Sequence, residues 1–229
     1  MTYCISDIHG EYDLFMRLLE KIQYASNDRL IVCGDFIDKG TASVRLTKTI
    51  FSLPNAHCIM GNHEYMFLKY YRAKMDSNVF DFDKILLLFQ EYFTEDGKLL
   101  DWDTIDRLVE LPFYLEDSDF ICVHAGVPLD KDGKTLPLSM ASAEELVYDR
   151  HFKNPRVLPQ NSKCILFGHT PTTYIGSTPK ILIYPKSAEF HQNKSIKNLA
   201  KVHLDTGASI NSVLGCFCVD TCRAFYVTK

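Results

Sequence analysis

The sequence lacks any long apolar run, and none of its hydrophobic stretches approaches the ~20 residues that a membrane-spanning helix needs. The N-terminal stretch MTYCISDIHG also lacks the basic segment and the apolar core that are typical of a secretory signal peptide. We therefore expect a cytoplasmic protein that has no membrane partner.

An excess of positive charge is also missing. The 229 residues include 25 Lys and Arg against 29 Asp and Glu, so the formal net charge is -4. Nucleic-acid-binding domains usually carry a basic patch or stripe, and this balance offers none. We expect no nucleic-acid partner, and any affinity for phosphate must come from a local arrangement of residues.

Linkers rich in Pro, Gly or Ser are absent as well, and hydrophobic residues make up an ordinary 46% of the chain. A chain of this length fits one domain with its own core. We therefore expect residues 1–229 to form a single domain.

Paired C-x2-C knuckles, which mark structural zinc sites, do not occur among the eight cysteines. Five cysteines lie inside apolar, strand-like runs, where a free thiol behaves as a small buried hydrophobe; they are Cys4, Cys33, Cys58, Cys122 and Cys164. The alternation of Cys216 and Cys218 fits a C-terminal strand, so we expect free thiols in a reducing compartment.

The most informative stretch that is present is IVCGDFIDKG, residues 31–40. Its short β-branched run predicts a buried strand, and Asp35 and Asp38 follow where that strand ends. Open parallel sheets bind their ligands at this edge. Because anions are rarely buried without a partner, the two aspartates indicate a divalent metal site.

The same layout recurs along the chain. Strands are predicted at 3–6, 29–33 and 56–60, with helices at 11–24 and 41–53 between them, which is a βαβαβ pattern. Further strands are predicted at 120–123 and 163–167, and residues 65–116 are expected to form a helical insertion. We expect the late runs at 181–184, 201–204, 212–219 and 223–227 to form an antiparallel second sheet that packs on the first. The predicted fold class is α/β, a two-sheet sandwich flanked by helices.

Polar residues end five of these strands: Asp7 and His9, Asp35 and Asp38, Asn62 and His63, His124, and His169. Oxygen and imidazole ligands without thiolate suit Mn, Fe or Zn. We expect two divalent metal ions, with Mn²⁺ preferred, about 3.5–4 Å apart. One would be held by Asp7, His9 and Asp35, and the other by Asp35, Asn62, His124 and His169. A hydroxide that bridges the two ions would be the nucleophile for in-line attack on phosphorus.

In their order, these clusters resemble the signature of the metallophosphoesterase superfamily: DIHG at 7–10, GDFIDKG at 34–40, GNHE at 61–64, HAG at 124–126 and GHT at 168–170. They look most like the phosphoprotein phosphatase branch in its small bacterial and bacteriophage form. That form includes the phage lambda type phosphatase and symmetrical dinucleoside tetraphosphatases. The resemblance implies a calcineurin-like fold and a phosphoric ester hydrolase.

The resemblance also implies roles for individual residues. His63 would be the general acid that protonates the leaving oxygen, and Asp38 would orient and charge it. Asn62 would contact the substrate phosphate as well as a metal. The family has an arginine at the position of Lys39, and lysine keeps the charge but loses the two-point grip on phosphate oxygens. Arg150 is the best match to the family's second phosphate-binding arginine.

The expected activity is hydrolysis of phosphomonoesters, with phosphoserine or phosphothreonine of proteins or a small phosphoester as the substrate. A symmetrical dinucleoside tetraphosphatase is the nearest alternative, although few basic residues lie near the signature stretches besides Lys39 and Arg150. A non-catalytic, metal-binding interaction module is the alternative from another class. Glu64 either braces the second stretch from behind or is an ordinary helix-start carboxylate, and His203 is either a core residue or one near the site.

Overall fold

The computed structural model describes residues 1–76, 100–160 and 163–229, without the side chains of 73–76. Its strands are β1 (Thr2–Ile5), β2 (Arg29–Val32), β3 (Ala56–Cys58), β4 (Tyr114–Glu116), β5 (Phe120–Val123), β6 (Cys164–Phe167), β7 (Leu182–Pro185), β8 (Leu199–His203), β9 (Val213–Cys218) and β10 (Arg223–Thr228). Its α-helices are α1 (Tyr12–Lys21), α2 (Ser43–Ser52), α3 (Asn62–Asp76), α4 (Trp102–Val109), α5 (Ala143–Tyr148) and α6 (Ala208–Asn211).

The first sheet has the strand order β10-β9-β1-β2-β3. Strands β1, β2 and β3 run parallel, and α1 and α2 are the crossovers between them. The apolar positions of α1 recur at helical spacing, and the helix buries Leu14, Phe15, Leu18 and Leu19 in the core. The βαβαβ prediction is confirmed.

The second sheet has the order β4-β5-β6-β8-β7. Strands β5, β6 and β8 are parallel, whereas β4 and β7 pair antiparallel at the two edges. The fold is therefore α/β, with two mixed sheets flanked by helices, as the sequence predicted. Within the described residues, no helix is both long enough and apolar enough to cross a bilayer.

The predicted partners of the late strands are wrong. They do not form a sheet of their own: β9 and β10 extend the first sheet beside β1, and β7 and β8 extend the second beside β6. Strand β8 is parallel to β6, with Phe167 opposite His203. The physical reason is that β1 and β6 each had a free edge whose backbone N–H and C=O groups required a partner.

The predicted insertion is also shorter at its C-terminal end. Residues Tyr114–Glu116 form strand β4, and Tyr114 lies opposite Val123 of β5. Helices α3 and α4 lie largely within the predicted insertion and agree with its helical pattern. Residues 77–99, with five of the twelve aromatic positions of the predicted insertion, lie outside the described residues.

The apolar interior between the sheets confirms the interpretation of the cysteines. All eight are free and buried. The thiols of Cys4 and Cys122, which come from different sheets, lie 4.0 Å apart. Burial raises the pKa of both thiols well above the ordinary value, so these cysteines act as small core residues rather than as ligands or nucleophiles.

Candidate metal centre

The Asp35 carboxylate is the centre of the site. It follows β2, and its Oδ2 lies 3.3 Å from Nε2 of His124, 3.8 Å from Nε2 of His9 and 3.8 Å from Nε2 of His63. The three histidines come from three separate parts of the chain, after β1, in α3 and after β5. The carboxyl ends of these strands share one edge, so the predicted convergence is present.

The first ligand group consists of Asp7, His9 and Asp35 and lies on the side of β1. Nε2 of His9 is 3.9 Å from Oδ1 of Asp7 and faces Asp35. The other ring nitrogen of His9, Nδ1, is 3.1 Å from the Ile37 carbonyl oxygen, to which it donates as an N–H. This bond orients the ring, as in metal-binding histidines, and places Nε2 on the side of the carboxylates, where it accepts a hydrogen bond from the Lys39 ammonium.

The second ligand group consists of Asp35, Asn62, His124 and His169 and lies on the side of β5 and β6. Nδ1 of His124 donates to the Cys33 carbonyl oxygen at 2.8 Å, so its Nε2 also faces inward. Oδ1 of Asn62 is 2.9 Å from Nε2 of His124 and 2.8 Å from Nδ1 of His169. The Nε2 atom of His169 is buried and has no hydrogen-bond partner among the described residues.

The donor atoms fit two divalent cations. The ligand atoms of Asp35, His9 and His63 lie within 4.8 Å of one another, and so do those of Asp35, His124 and His169. Both sets use only carboxylate oxygen and imidazole nitrogen, and Asp35 belongs to each. Such donors suit Mn, Fe or Zn, and two shared sites are a dimetal arrangement. The predicted sharing of Asp35 agrees with this geometry.

The electrostatics show how much this site depends on positive charge. Burial by itself would raise the pKa of Asp35, but the neighbouring charges, first that of His124, hold it below the ordinary value. Burial by itself would lower the pKa of His124, yet Asp35 and Asp7 raise it to about 10. In the metal-free protein, the buried carboxylate and the buried imidazole therefore stabilise each other's charge, and a divalent cation would take the place of the imidazolium proton.

Next to the ligand groups, His63 and Asp38 form a hydrogen-bonded pair. Nδ1 of His63 is 2.5 Å from Oδ2 of Asp38. Asp38 is itself held in place, because its backbone N–H donates to the Ser43 hydroxyl at 3.0 Å at the start of α2. The predicted pair is thus present, with Nε2 of His63 on the side of Asp35.

The backbone at the site is strained. Six of the predicted site residues have positive φ angles between 49° and 71°: Asp7, His9, Asp35, Asp38, Lys39 and His169. Left-handed backbone is uncommon outside glycine and clusters at functional sites. The turn after β2 also needs glycine for space, because a Cβ at Gly34 would lie 2.5 Å from Cα of Gly61.

Glu64 is a structural residue of the site that the sequence left undecided. Its buried carboxylate accepts N–H bonds from Gly61, Asp35, Phe36 and Ile37 at 2.8–3.1 Å. The structure therefore assigns the bracing interpretation rather than that of an ordinary helix-start carboxylate. The only sequence signal was its place directly after Asn62 and His63.

The two predicted phosphate-binding cations lie on opposite sides of the site. Nζ of the exposed Lys39 is 2.8 Å from Nε2 of His9. Arg150 is exposed just beyond α5. Burial is the largest cause that lowers the pKa of His169 to about 3, and the nearby charge of Arg150 contributes to it. Both cations are therefore near the ligand groups.

Tyr148, which the sequence analysis missed, places an aromatic ring at the rim of the site, beside the ligand groups. Its ring centroid is 6.4 Å from that of His169 and 6.2 Å from that of Tyr65, both in edge-on contact. The residue is 37% exposed at the end of α5. An aromatic residue two positions before Arg150 was the available signal. His203, in contrast, belongs to neither ligand group: it stacks on Phe167 and donates to the Thr170 carbonyl oxygen at 2.7 Å.

In this two-sheet α/β fold, the histidine and carboxylate ligand groups that share Asp35 define a candidate dimetal centre. The sequence model of the calcineurin-like phosphoesterase family matches residues 2–201, and the chain belongs to this family.

Several curated proteins that are similar to this chain are named symmetrical bis(5'-nucleosyl)-tetraphosphatases. A symmetrical bis(5'-nucleosyl)-tetraphosphatase from Vibrio vulnificus is 30% identical over 166 residues, which are 71% of this chain and 57% of that protein. The chain spans about half the length of the curated relatives it matches, with 44%, 54% and 57% in three cases.

Two solved structures share the fold. A crystal structure assigned as a diadenosine tetraphosphatase covers 99% of this chain and 92% of its own, with a TM-score of 0.68 and 17% identity. A single-residue variant of a cold-active protein tyrosine phosphatase covers 99% of this chain and 80% of its own, with a TM-score of 0.55 and 17% identity. At these identities the likeness concerns the fold alone.

Proposed function

We propose that the protein is a dimetal hydrolase of phosphoric esters and anhydrides, with symmetrical dinucleoside tetraphosphates as its first candidate substrates. The reaction class rests on one observation: the Asp35 carboxylate lies within 3.8 Å of three histidine nitrogens and belongs to both ligand groups. The substrate class is supported by the relatives, whose printed names are those of symmetrical tetraphosphatases at about 30% identity.

In this proposal, Asp7, His9 and Asp35 hold one cation. The other is held by Asp35, Asn62, His124 and His169. When bound, a pair of divalent cations supplies Lewis-acid polarisation of a phosphoryl oxygen and lowers the pKa of a bound water. Mn²⁺ is the metal to test first, since Fe and Zn suit the same ligand types and the donor set alone does not separate them.

His63 delivers a proton to the leaving oxygen. Its Nδ1–H is occupied by Asp38, so Nε2 is the atom free to donate. Burial by itself lowers the pKa of His63, but the hydrogen bond to Asp38 and the charge of Asp35 raise it above the ordinary value. The imidazolium form, which carries the proton to be donated, is therefore more stable than in an ordinary histidine.

Lys39, Arg150 and the Asn62 side chain hold the phosphoryl oxygens. Nε2 of His9 cannot take both a cation and the Lys39 ammonium, so a cation bound to His9 would release Lys39 and leave its ammonium available to phosphate. Arg150 approaches from the His169 side. Lysine gives a single point of charge at its position, whereas arginine gives a planar two-point contact.

The exposed ring of Tyr148 supports a nucleotide as the substrate. It lies at the rim, beside His169 and against Tyr65, where it offers a face on which a base can stack. Stacking of a base on an aromatic side chain contributes about 1–3 kcal/mol. A small phosphomonoester would gain nothing from this ring, so the two substrate classes should respond differently to its removal.

The pairing of His63 with Asp38 favours a second candidate, hydrolysis of phosphoserine or phosphothreonine in the manner of the phosphoprotein phosphatase branch. An alkoxide leaves poorly without a proton, whereas a nucleoside diphosphate leaves readily from an anhydride. A well-held general acid therefore has more effect on a monoester. This candidate keeps the ligand groups and changes only the substrate.

The deciding experiment supplies Mn²⁺ to metal-stripped protein with diadenosine tetraphosphate, 4-nitrophenyl phosphate or a phosphoserine peptide. Symmetrical cleavage gives two ADP, and we expect this to be the fastest reaction, lost in Asp35→Asn and retained in the exposed control Asp103→Asn. A product pair of ATP and AMP contradicts the symmetrical assignment. Faster turnover of the peptide favours the second candidate. Asp35-dependent metal binding without hydrolysis of any substrate favours a binding module.

A further inference from the structure

Lys201 is a buried lysine that the proposed reaction does not use. It lies on β8 with 0% of its surface exposed. Its neighbour across the sheet is Ile165 of β6, which places Lys201 on the outer face of the second sheet, away from the first. A lysine is almost never fully buried unless its amine has specific partners.

The partners are two backbone carbonyls of one loop. Nζ of Lys201 donates to the Phe152 carbonyl oxygen at 2.6 Å and to the Asn154 carbonyl oxygen at 2.8 Å. This loop follows α5 and begins with Asp149 and Arg150. Because one amine holds two carbonyls of the same short segment, it fixes the path of the backbone directly after Arg150.

Packing restricts the same loop from two other directions. The Phe152 ring stands edge-on to Phe167 at 4.9 Å, and Phe167 ends β6 just before Gly168 and His169. On its other side the loop lies against Gly126, where a Cβ would come within 2.6 Å of Cβ of Phe152. The loop is thereby seated between two strand ends that carry ligands of the site.

Inside the loop, Asp149 completes the arrangement. Its Oδ1 accepts the backbone N–H of His151 at 2.6 Å, and its charge acts favourably on the Lys201 ammonium. Nζ of Lys201 also lies 4.8 Å from the Phe152 ring centroid and 4.9 Å from that of Tyr184. These contacts hold the amine where it can reach both carbonyls.

We propose that Lys201 is a positioning residue that holds the loop of residues 149–154 so that Arg150 points at the substrate phosphate. The inference rests on the proposed function of Arg150 as a phosphate ligand. Arg150 is itself exposed, and no side-chain hydrogen bond to it occurs among the described residues, so the position of its backbone sets the region that its guanidinium can reach. Lys201 never touches the substrate and acts through Arg150.

The first test is a double-mutant cycle with Lys201→Met, Arg150→Ala and the double variant. KM and kcat for diadenosine tetraphosphate are measured with the Mn²⁺-loaded proteins. We expect each single change to raise KM roughly tenfold, the size of one lost charge-assisted hydrogen bond to phosphate. The double variant should have the KM of Arg150→Ala alone, because the loop matters only through the arginine. If the double variant instead has a KM raised by the product of the two single factors, the two residues act independently and the proposal is wrong.

The second test is hydrogen exchange of the metal-free proteins, which needs no activity. Residues 149–154 should exchange about tenfold faster in Lys201→Met than in the unchanged protein, with the strand β6 amides unaffected. The exposed Lys131→Met is the matched control and should change neither region. Unchanged exchange in the loop would contradict the inference. Because the measurement needs no hydrolysis of any substrate, a failure of the inference can be distinguished from a failure of the proposed function.

Lys201→Gln covers the case in which Lys201→Met does not fold. The amide keeps an N–H donor at a shorter reach, so we expect a smaller rise in KM and a smaller increase in exchange than for a complete loss of donors. A Gln variant that equals the unchanged protein in both measurements would show that the two carbonyl contacts do not position Arg150.

Discussion

The Glu64 carboxylate accepts the backbone N–H of Asp35 at 2.8 Å, so the start of α3 holds from behind the residue that both ligand groups share. Three further N–H groups, those of Gly61, Phe36 and Ile37, donate to the same carboxylate. Backbone with positive φ at Asp35 is costly and persists only where its surroundings determine it. Glu64 supplies that constraint.

Glu64→Gln is therefore expected to destabilise the protein. A side-chain amide has one accepting oxygen and places an N–H₂ against the other donors, so buried N–H groups lose their acceptor. The expected loss is about 1–3 kcal/mol in the free energy of unfolding, measured by urea denaturation of the metal-free protein. The exposed Glu20→Gln should stay within about 0.5 kcal/mol of the unchanged protein. Equal stability of the two variants would show that the N–H bonds to Glu64 matter little.

His63→Asn should affect substrates according to their leaving group. With phenyl phosphate, a poor leaving group, we expect kcat to fall roughly 10²–10⁴-fold, the usual contribution of a general acid. With 4-nitrophenyl phosphate the fall should be much smaller, because nitrophenolate leaves without a proton. Asp38→Asn should also lower kcat more for phenyl phosphate than for 4-nitrophenyl phosphate, but the fall should be smaller than in His63→Asn. An equal fall for both substrates would mean that His63 does not protonate the leaving oxygen.

Lys39 should be improvable by substitution. Lys39→Arg restores the planar contact with phosphate and is expected to lower KM for 4-nitrophenyl phosphate, whereas Lys39→Met should raise it roughly tenfold. Steady-state kinetics of both variants in Mn²⁺ provide the measurement, with Lys131→Met as the exposed control. If Lys39→Met leaves KM unchanged, the lysine is not a phosphate ligand.

Removal of metal should lower stability as well as abolish activity. Two buried ligand groups bring Asp7 and Asp35 together, and cations that bind only the folded chain stabilise it, by about 2.7 kcal/mol for each site at a hundredfold excess over Kd. We expect EDTA to lower Tm and Mn²⁺ to restore it. In Asp35→Asn the Mn²⁺-dependent rise should shrink strongly. A Tm that ignores Mn²⁺ in the unchanged protein would count against the dimetal site.

Lys201 should make stability depend on pH. Burial lowers the pKa of Lys201 from 10.5 to about 7. Between these values the unfolded chain binds the additional proton, so the free energy of unfolding should increase as the pH rises from about 7 to about 8.5. Urea denaturation across this range should show a smaller slope in Lys201→Met, because methionine does not titrate. Identical slopes would mean that the lysine keeps an ordinary pKa in the folded protein.

The candidate metal ligands could be predicted from the sequence because their signal is local and repeated. Each follows a short apolar strand, and parallel strands bring their carboxyl ends to one edge whatever lies elsewhere in the chain. For Asp35 and His124, knowledge of the strand order was therefore not needed. The pairing of His63 with Asp38 followed from the resemblance, and the structure places the two side chains at hydrogen-bond distance.

The late strands show what local patterns leave open. An apolar alternation identifies β8 and β9 as strands, but it does not say which edge each will join. That choice depended on the free edges of β1 and β6, which exist only after the rest of each sheet has formed. The prediction of a separate antiparallel sheet was wrong for this reason.

The sequence by itself determined the α/β class, the free cysteines and the set of residues that gather around Asp35, because strand periodicity and strand ends are encoded in neighbouring residues. Only the tertiary structure decided the partners of the late strands, the four N–H bonds to Glu64 and the burial of Lys201 beneath the Arg150 loop. Each of these depends on groups that are far apart in the chain, whose hydrogen bonds form only when packing has excluded water from both partners.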